Sequence, residues 1–198
     1  MKEWIRNQIQ ASIEIKQACL NNSMVQQIER MGDILSQQLL KGHKIFLFGN
    51  GGSAADAQHL AAELIGRFES ERPGLAAIAL TTNTSNLTAI GNDYGFNSVY
   101  ARQLYALGQS EDIAIGLSTS GNSINVITAL QRASKKGLIC FGWTGKDHCQ
   151  MDEICDQVLH IPSHRTANIQ EGHMMVGHIL CGIIENRLSA QKNSETPD

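Results

Sequence analysis

Short apolar segments rich in β-branched residues alternate with helical segments along most of this chain. Strand-like segments are expected at 44–48, 76–80, 112–117, 138–142 and 157–161. Helical spacing of apolar residues is clearest at 53–68, 123–136 and 166–188. A strand followed by a helix and then by another strand gives parallel pairing, with helices on both faces of the sheet. The chain is therefore predicted to be an α/β protein with a five-stranded parallel sheet.

Two helices are predicted in front of this alternating region. Residues 2–41 place apolar side chains at helical spacing, and Asn21-Asn22-Ser23 supplies a break with cap-forming side chains. We interpret residues 1–41 as a helical extension that packs on the domain or on another subunit, and residues 42–190 as the α/β domain. The length of 198 residues fits a single domain overall.

Composition and charge narrow the functional classes. The formal net charge is −3 and no long basic run occurs, which argues against a nucleic-acid partner. The apolar runs are too short to span a bilayer, and Met1–Arg6 is typical of an amphipathic helix rather than of a signal peptide. Five cysteines without a C-x-x-C pair argue against a disulfide framework or a thiolate zinc cage. We expect a cytoplasmic protein with reduced thiols and no membrane association.

A glycine-rich loop follows the first predicted strand. Gly49–Ala54 fits the relaxed dinucleotide fingerprint G-x-G-x-x-A. A dinucleotide site also needs an acidic residue at the end of the second strand, and that strand leads instead into Leu80-Thr81-Thr82-Asn83. A tight strand-to-helix turn is one interpretation. The favoured one is a loop whose backbone closely approaches a polar ligand at the N-terminus of a helix.

A second loop, Ser118-Thr119-Ser120-Gly121-Asn122-Ser123, carries four hydroxyl groups in six residues. Hydroxyls, converging backbone N–H groups and the positive end of the following helix are suited to phosphate oxygens. The alternative is a plain helix cap, for which one or two hydroxyls would suffice. Open parallel sheets bind ligands beyond the carboxyl ends of their strands, so both loops are predicted to line a binding site.

Two pairs of polar side chains lie far apart in sequence on predicted helices. His59 and Glu63 are four residues apart and share a helix face; Gln170 and His178 are eight apart, about two turns. Together they are candidates for a metal or acid/base centre, and imidazole and carboxylate donors suit zinc. The alternative is that both pairs face solvent on amphipathic helices. Two neighbouring positions on the second helix are further candidates: Glu171 and His173.

The motifs, taken in this order, resemble the sugar isomerase (SIS) domain family and, within it, the phosphoheptose isomerases. The similarity covers nearly the whole chain, including the two leading helices. It implies a flavodoxin-like SIS fold and a homotetramer with active sites at subunit interfaces. It also implies conversion of a phosphorylated seven-carbon sugar, sedoheptulose 7-phosphate, to D-glycero-D-manno-heptose 7-phosphate, the first step toward the heptose of lipopolysaccharide core. The matching segments are Gly49–Ser53, His59–Glu63, Gly91–Asp93, Ser118–Ser123, Thr144–Asp147 and Ile169–Glu171 with His173 and His178.

The resemblance further implies roles for individual residues. Zinc would be bound, one ion per subunit, by His59, Glu63, Gln170 and His178. Glu63 and His178 would also transfer protons. The substrate would be held by a larger set: Asn50, Gly51, Gly52, Ser53, Glu63, Asn92, Asp93, Ser118, Thr119, Ser120, Ser123 and Gln170.

Two other functional classes remain open at this point. The family includes a non-catalytic bacterial regulator that binds the replication initiator DnaA. That relative lacks the carboxylate and the last histidine of the metal set, which this chain has at Glu63 and His178, although Pro162–Arg165 resembles it. A sugar-phosphate sensor is the third class, but such modules are usually joined to a DNA-binding segment, and no basic helix-turn-helix stretch fits here. The isomerase is the favoured interpretation.

Overall fold

The computed structural model describes the backbone of residues 1–195 and the side chains of residues 1–190. Short 3₁₀ turns occur at Phe96–Ser98 and Gln150–Glu153. The helices and strands, in chain order, are α1 (Lys2–Ala18), α2 (Asn22–Leu40), β1 (Ile45–Gly49), α3 (Gly52–Ile65), β2 (Ala77–Ala79), α4 (Thr84–Tyr94), α5 (Val99–Leu107), β3 (Ile113–Leu117), α6 (Ile124–Lys135), β4 (Ile139–Thr144), β5 (Gln157–His160) and α7 (Thr166–Glu195).

The five strands form one parallel sheet in the order β2-β1-β3-β4-β5. Its register places Leu47 between Ala79 and Ile115. The predicted five-stranded parallel sheet is thus confirmed, and its order is that of flavodoxin-like folds. The order reverses between β1 and β3, so the loops that follow these two strands flank the crevice where open α/β sheets bind ligands.

Helices cover both faces of the sheet, and the central strands β1 and β3 are buried along their whole length. Leu47 and Ile115 point toward the face covered by α2, α3 and α7. Phe46 and Phe48 alternate with them and point toward the face covered by α4, α5 and α6. The fully buried Trp143 closes the first of these two cores.

The leading helical pair is also present. Asn21 caps α2, since its side-chain oxygen accepts a hydrogen bond from the backbone N–H of Met24 at 3.0 Å. Helix α1 contributes no buried residue, and its apolar side chains Trp4, Ile9 and Ile13 are exposed. Among residues 1–195, no helix combines the length and the apolar character that crossing a bilayer requires.

Two regions differ from the sequence-based expectation. Between β2 and β3 the chain forms two helices, α4 and α5, in a region for which no helix bounds were predicted. Helix α7 continues to Glu195, beyond the predicted end near residue 188. The polar residues after Leu188 lack the apolar spacing by which a helix is recognised, but Ala, Gln, Lys and Glu are good helix formers.

Candidate active site

The glycine loop after β1 is held closely against the neighbouring strand. A Cβ atom on Gly49 would lie 2.8 Å from the carbonyl oxygen of Leu117, so no side chain fits there. Gly51 has a φ of +55°, in the region that favours glycine. Asn50 and Asn125 exchange two side-chain hydrogen bonds of 2.9 and 2.8 Å, which tie this loop to the start of α6.

The hydroxyl-rich turn after β3 is compact. The Ser118 hydroxyl lies 2.9 Å from that of Ser123 and 3.4 Å from that of Ser120. Gly121 has a φ of +67°, and its N–H donates to the carbonyl of Ser118 at 2.9 Å. The turn ends at the N-terminus of α6, where Ser123 precedes the first helical residue. Several hydroxyl groups therefore lie together at the N-terminus of a helix, an arrangement that favours a phosphate ligand.

A cavity of about 370 Å³ opens beside this turn. Thr119 and Ser120 line one side, and Lys146 and His148 line another. The Gly145 N–H donates to the Thr119 carbonyl at 3.2 Å, so the loop after β4 is fastened to the turn. The hydroxyls and the Lys146 ammonium group favour an anionic ligand, while the Asp147 carboxylate in the same lining pairs with His164 at 3.1 Å.

The two remote helices α3 and α7 bring three predicted residues together. His59 Nε2 lies 3.2 Å from Glu63 Oε1 and 3.0 Å from His178 Nε2. One donor atom from each of the three lies within 4.8 Å of the others. The pair of His59 and Glu63 thus meets a histidine 119 residues away in the chain, and its role as a metal or acid/base centre stays a prediction.

This cluster fits zinc by chemistry and by spacing. Two imidazole nitrogens and a carboxylate oxygen are donors that zinc accepts. Tetrahedral ligands about 2.0–2.1 Å from zinc lie roughly 3.3 Å from one another. Two of the three separations, 3.0 and 3.2 Å, are close to that edge length, and the third lies within 4.8 Å.

Gln170, the fourth predicted ligand, lies at the other end of the same helix contact. A Cβ atom on Gly52 would lie 2.4 Å from Gln170 Nε2, so this amide packs directly on the first turn of α3. Gln170 therefore joins the glycine loop to α7, two turns before His178. Its role as a zinc ligand stays a prediction.

Two of the predicted substrate-binding residues lie on α4, apart from the two loops and the cluster. Asn92 and Asp93 lie at the exposed C-terminal end of α4, where the Asn92 amide donates to the Asp93 carboxylate at 2.8 Å. Within residues 1–190, neither forms a hydrogen bond with a candidate site residue outside this pair. Their contact with substrate stays a prediction.

The two alternative candidates on α7 do not join the cluster. His173 is fully buried, and its Nε2 lies 3.2 Å from the carbonyl of Thr144. Burial lowers the pKa of His173 to about 4, so it is a neutral core histidine. Glu171 is exposed to solvent.

Several residues near the cluster were not among the predicted site residues. Burial raises the pKa of Asp56, one turn before His59, and the nearby charge of His59 opposes that shift. Arg72 and Glu185 form a buried ion pair at 2.9 Å, and Phe68 stacks on His178. A carboxylate on an amphipathic helix is usually expected to face solvent. No local sequence pattern links Glu185 to Arg72, which lies 113 residues earlier in the chain.

Comparison with known proteins agrees with the fold. The SIS domain family matches residues 9–145, and the chain belongs to this family. A phosphoheptose isomerase from Aneurinibacillus thermoaerophilus is 46% identical over 193 residues, covering 97% of this chain and 98% of the relative. Phosphoheptose isomerase 1 from Campylobacter jejuni is 50% identical over 186 residues, covering 93% and 95%. The structure of a phosphoheptose isomerase from Neisseria gonorrhoeae superposes with a TM-score of 0.88 at 41% identity, covering 93% of this chain and 98% of that one.

Proposed function

We propose that this chain is an aldose–ketose isomerase that converts sedoheptulose 7-phosphate to D-glycero-D-manno-heptose 7-phosphate. One observation carries the proposal: α3 and α7 place His59 Nε2 3.0 Å from His178 Nε2 and 3.2 Å from Glu63 Oε1, with one donor atom of each residue within 4.8 Å of the others. Full-length similarity to phosphoheptose isomerases supports it.

The distance between the loops and the cluster suits a long sugar phosphate. The phosphate would bind at the Ser118–Ser123 turn, with Asn50, Gly51, Gly52 and Ser53 beside it. Gly52 and His59 are seven positions apart on α3, a rise of about 10 Å. An anionic tail at the turn and a carbonyl carbon at the cluster are then several carbons apart, as in a ketose phosphorylated at its far end.

The reaction moves one proton between adjacent carbons through an enediol. Glu63 removes a proton from C1 as His178 donates a proton to the oxygen on C2. Glu63 then returns the proton to C2, and His178 takes the proton from the oxygen on C1, which leaves an aldehyde. Both residues end in their starting protonation states, so no external acid, base or oxidant is consumed.

Zinc is the metal that this donor set favours. His59, Glu63, Gln170 and His178 would hold it, at one ion per subunit. Bound there, it would supply polarisation of the substrate carbonyl. The four side chains would also be fixed in one arrangement, which lowers the reorganisation needed before proton transfer.

Residues 1–41 would form an extension of the SIS domain at residues 42–190 and take part in a homotetramer with active sites between subunits. Exposed apolar residues on α1 support this, with Trp4 58% and Ile9 58% exposed. A groove of about 510 Å³ between Val25 and Ile179 adds further apolar surface. The product would feed synthesis of lipopolysaccharide heptose in the cytoplasm.

The alternative of a DnaA-binding regulator is not supported. Glu63 and His178, which that relative lacks, lie together in the cluster. Relatives covering nearly the whole chain are named isomerases.

The test is a coupled assay with sedoheptulose 7-phosphate on the parent chain and on Glu63→Gln. This substitution keeps the side-chain shape and removes the base. Because one general base typically contributes about 10²–10⁴-fold, we expect turnover to fall by at least about 100-fold while the melting temperature changes little.

Glu153→Gln is the matched control, because it removes one carboxylate from an exposed position outside the cluster. It is expected to turn over like the parent. Parent-like turnover in Glu63→Gln would rule out Glu63 as the base, and an inactive parent chain would rule out the substrate.

A further inference from the structure

A buried carboxylate on α7 organises the loop that follows α3. Glu185 is 4% exposed and accepts backbone N–H bonds from Phe68 at 3.0 Å, Glu69 at 3.1 Å and Ser70 at 2.9 Å. Burial opposes ionisation of Glu185, but these bonds and the one from Arg72 outweigh it and lower its pKa. We call residues 66–73 the anchored loop.

Arg72 fastens the other side of the anchored loop. Its Nε donates to Glu185 at 2.9 Å, and its Nη1 donates to the carbonyl of Leu64 at 2.8 Å. Its Nη2 donates to the carbonyl of Glu63 at 2.8 Å, directly at the end of α3 that carries the cluster. One ion pair therefore holds the loop to both helices of the site.

This anchoring places one aromatic ring against the cluster. The rings of Phe68 and His178 are nearly parallel, at 18°, with centroids 5.6 Å apart. His59 meets His178 at a centroid distance of 5.1 Å and an angle of 59°. Phe68 also passes over Gly182, one turn further along α7, where a Cβ would lie 3.9 Å from its ring.

We propose that Phe68, held by Glu185 and Arg72, is a positioning residue that fixes the plane of the His178 imidazole. A parallel ring at stacking distance restricts rotation of the imidazole about its side-chain bonds. Rotation would carry His178 Nε2 away from His59 and Glu63. Groups that orient a metal-binding histidine typically change metal affinity by about 10–100-fold when they are removed. The inference rests on the proposed function of the same cluster.

The experiment titrates the metal-depleted full chain with Co²⁺, whose visible absorption reports ligand geometry and affinity, and assays the same samples with sedoheptulose 7-phosphate. Phe68→Leu keeps an apolar side chain over Gly182 and loses the stacked ring. Phe68→Tyr restores the ring. Phe96→Leu is the matched control, because Phe96 is 59% exposed on the opposite face of the sheet.

Phe68→Leu is expected to bind Co²⁺ about tenfold more weakly, with an altered spectrum and a lower kcat at nearly unchanged KM. Phe68→Tyr and Phe96→Leu are expected to match the parent. Parent-like Co²⁺ affinity and spectrum in Phe68→Leu, equal losses in Phe68→Leu and Phe68→Tyr, or a parent that does not bind Co²⁺ would overturn the positioning role. The expected Co²⁺ pattern in a parent that does not isomerise the sugar would instead reject the proposed function and leave the positioning role standing.

Discussion

Gly121 is the residue on which the shape of the hydroxyl turn most depends. A Cβ atom there would lie 2.2 Å from Cys149 Sγ and 2.8 Å from Thr144 Oγ1. Its φ of +67° adds a backbone cost of about 1–2 kcal/mol for any other residue. Gly121→Ala is therefore expected to lower the free energy of unfolding by more than 2 kcal/mol and to raise KM for the sugar phosphate, measured by urea unfolding and by the coupled assay.

Gly42 provides the matched control for this prediction. Its φ is +86°, and a Cβ there would meet nothing within 4 Å. Gly42→Ala should show only the backbone cost of about 1–2 kcal/mol, with KM unchanged. If the two variants lose the same stability, the contact with Cys149 does not constrain the turn.

His173 makes stability depend on pH. Its pKa is lowered to about 4 in the folded chain by burial, from an ordinary 6.5. Between these values the unfolded chain binds the additional proton, so the free energy of unfolding falls as the pH drops from 6.5 to about 4. The loss attributable to His173 is about 3 kcal/mol.

His173→Leu should remove that part of the pH dependence. Urea unfolding at pH 7 and pH 4 measures the loss in each chain, and the variant's loss should be smaller than the parent's by about 3 kcal/mol. Equal losses in the two chains would show that His173 does not titrate in this range.

At the scale of elements, the site exists because α3 and α7 approach each other closely. A Cβ atom on Gly177 would lie 2.5 Å from Leu60 Cδ2, and Leu60 is 2% exposed beside an internal void of only about 20 Å³. Gly177→Ala is expected to cost about 1–3 kcal/mol through overpacking and to weaken zinc binding by separating His178 from His59.

Urea unfolding and zinc competition with a chelator measure the two effects of Gly177→Ala. Gly182→Ala is the control on the same helix, because its Cβ would make only an ordinary contact of 3.9 Å. Unchanged zinc affinity in Gly177→Ala would show that the spacing of the two helices does not set the geometry of the cluster.

Most of the strands and helices could be predicted from the sequence, because each depends on a local pattern of apolar residues. Runs such as Ile45–Phe48 and Ile113–Leu117 are apolar on both faces, which marks a buried parallel strand. The pairing of His59 with Glu63 also follows from helix periodicity. The position of His178 beside this pair depends on the packing of α7 against α3. From the sequence, it could be predicted only through the resemblance to a family.

The bonds that hold the anchored loop could not be predicted from local sequence patterns. Glu185 bonds to Phe68, Glu69 and Ser70, more than 110 residues earlier in the chain. In sequence it is one more acidic residue near the end of an amphipathic helix. A buried ion pair of this kind is specified by the whole fold, and only coordinates reveal it.

At the scale of the whole molecule, the order of the strands determines where the candidate site lies. The reversal between β1 and β3 places the glycine loop and the hydroxyl turn side by side, and the Asn50–Asn125 bonds join them. The cluster on α3 and α7 lies about 10 Å further along, by helix rise. The sheet and the two helices thus fix the position of the hydroxyl turn relative to the cluster of His59, Glu63 and His178.

The most direct test of the account is to titrate the metal-depleted chain with zinc while following turnover of sedoheptulose 7-phosphate. We expect turnover to rise with bound zinc and to level off at one ion per chain, since His59, Glu63 and His178 form one centre in each chain. Full turnover without zinc, or no turnover at any zinc content, would contradict the account.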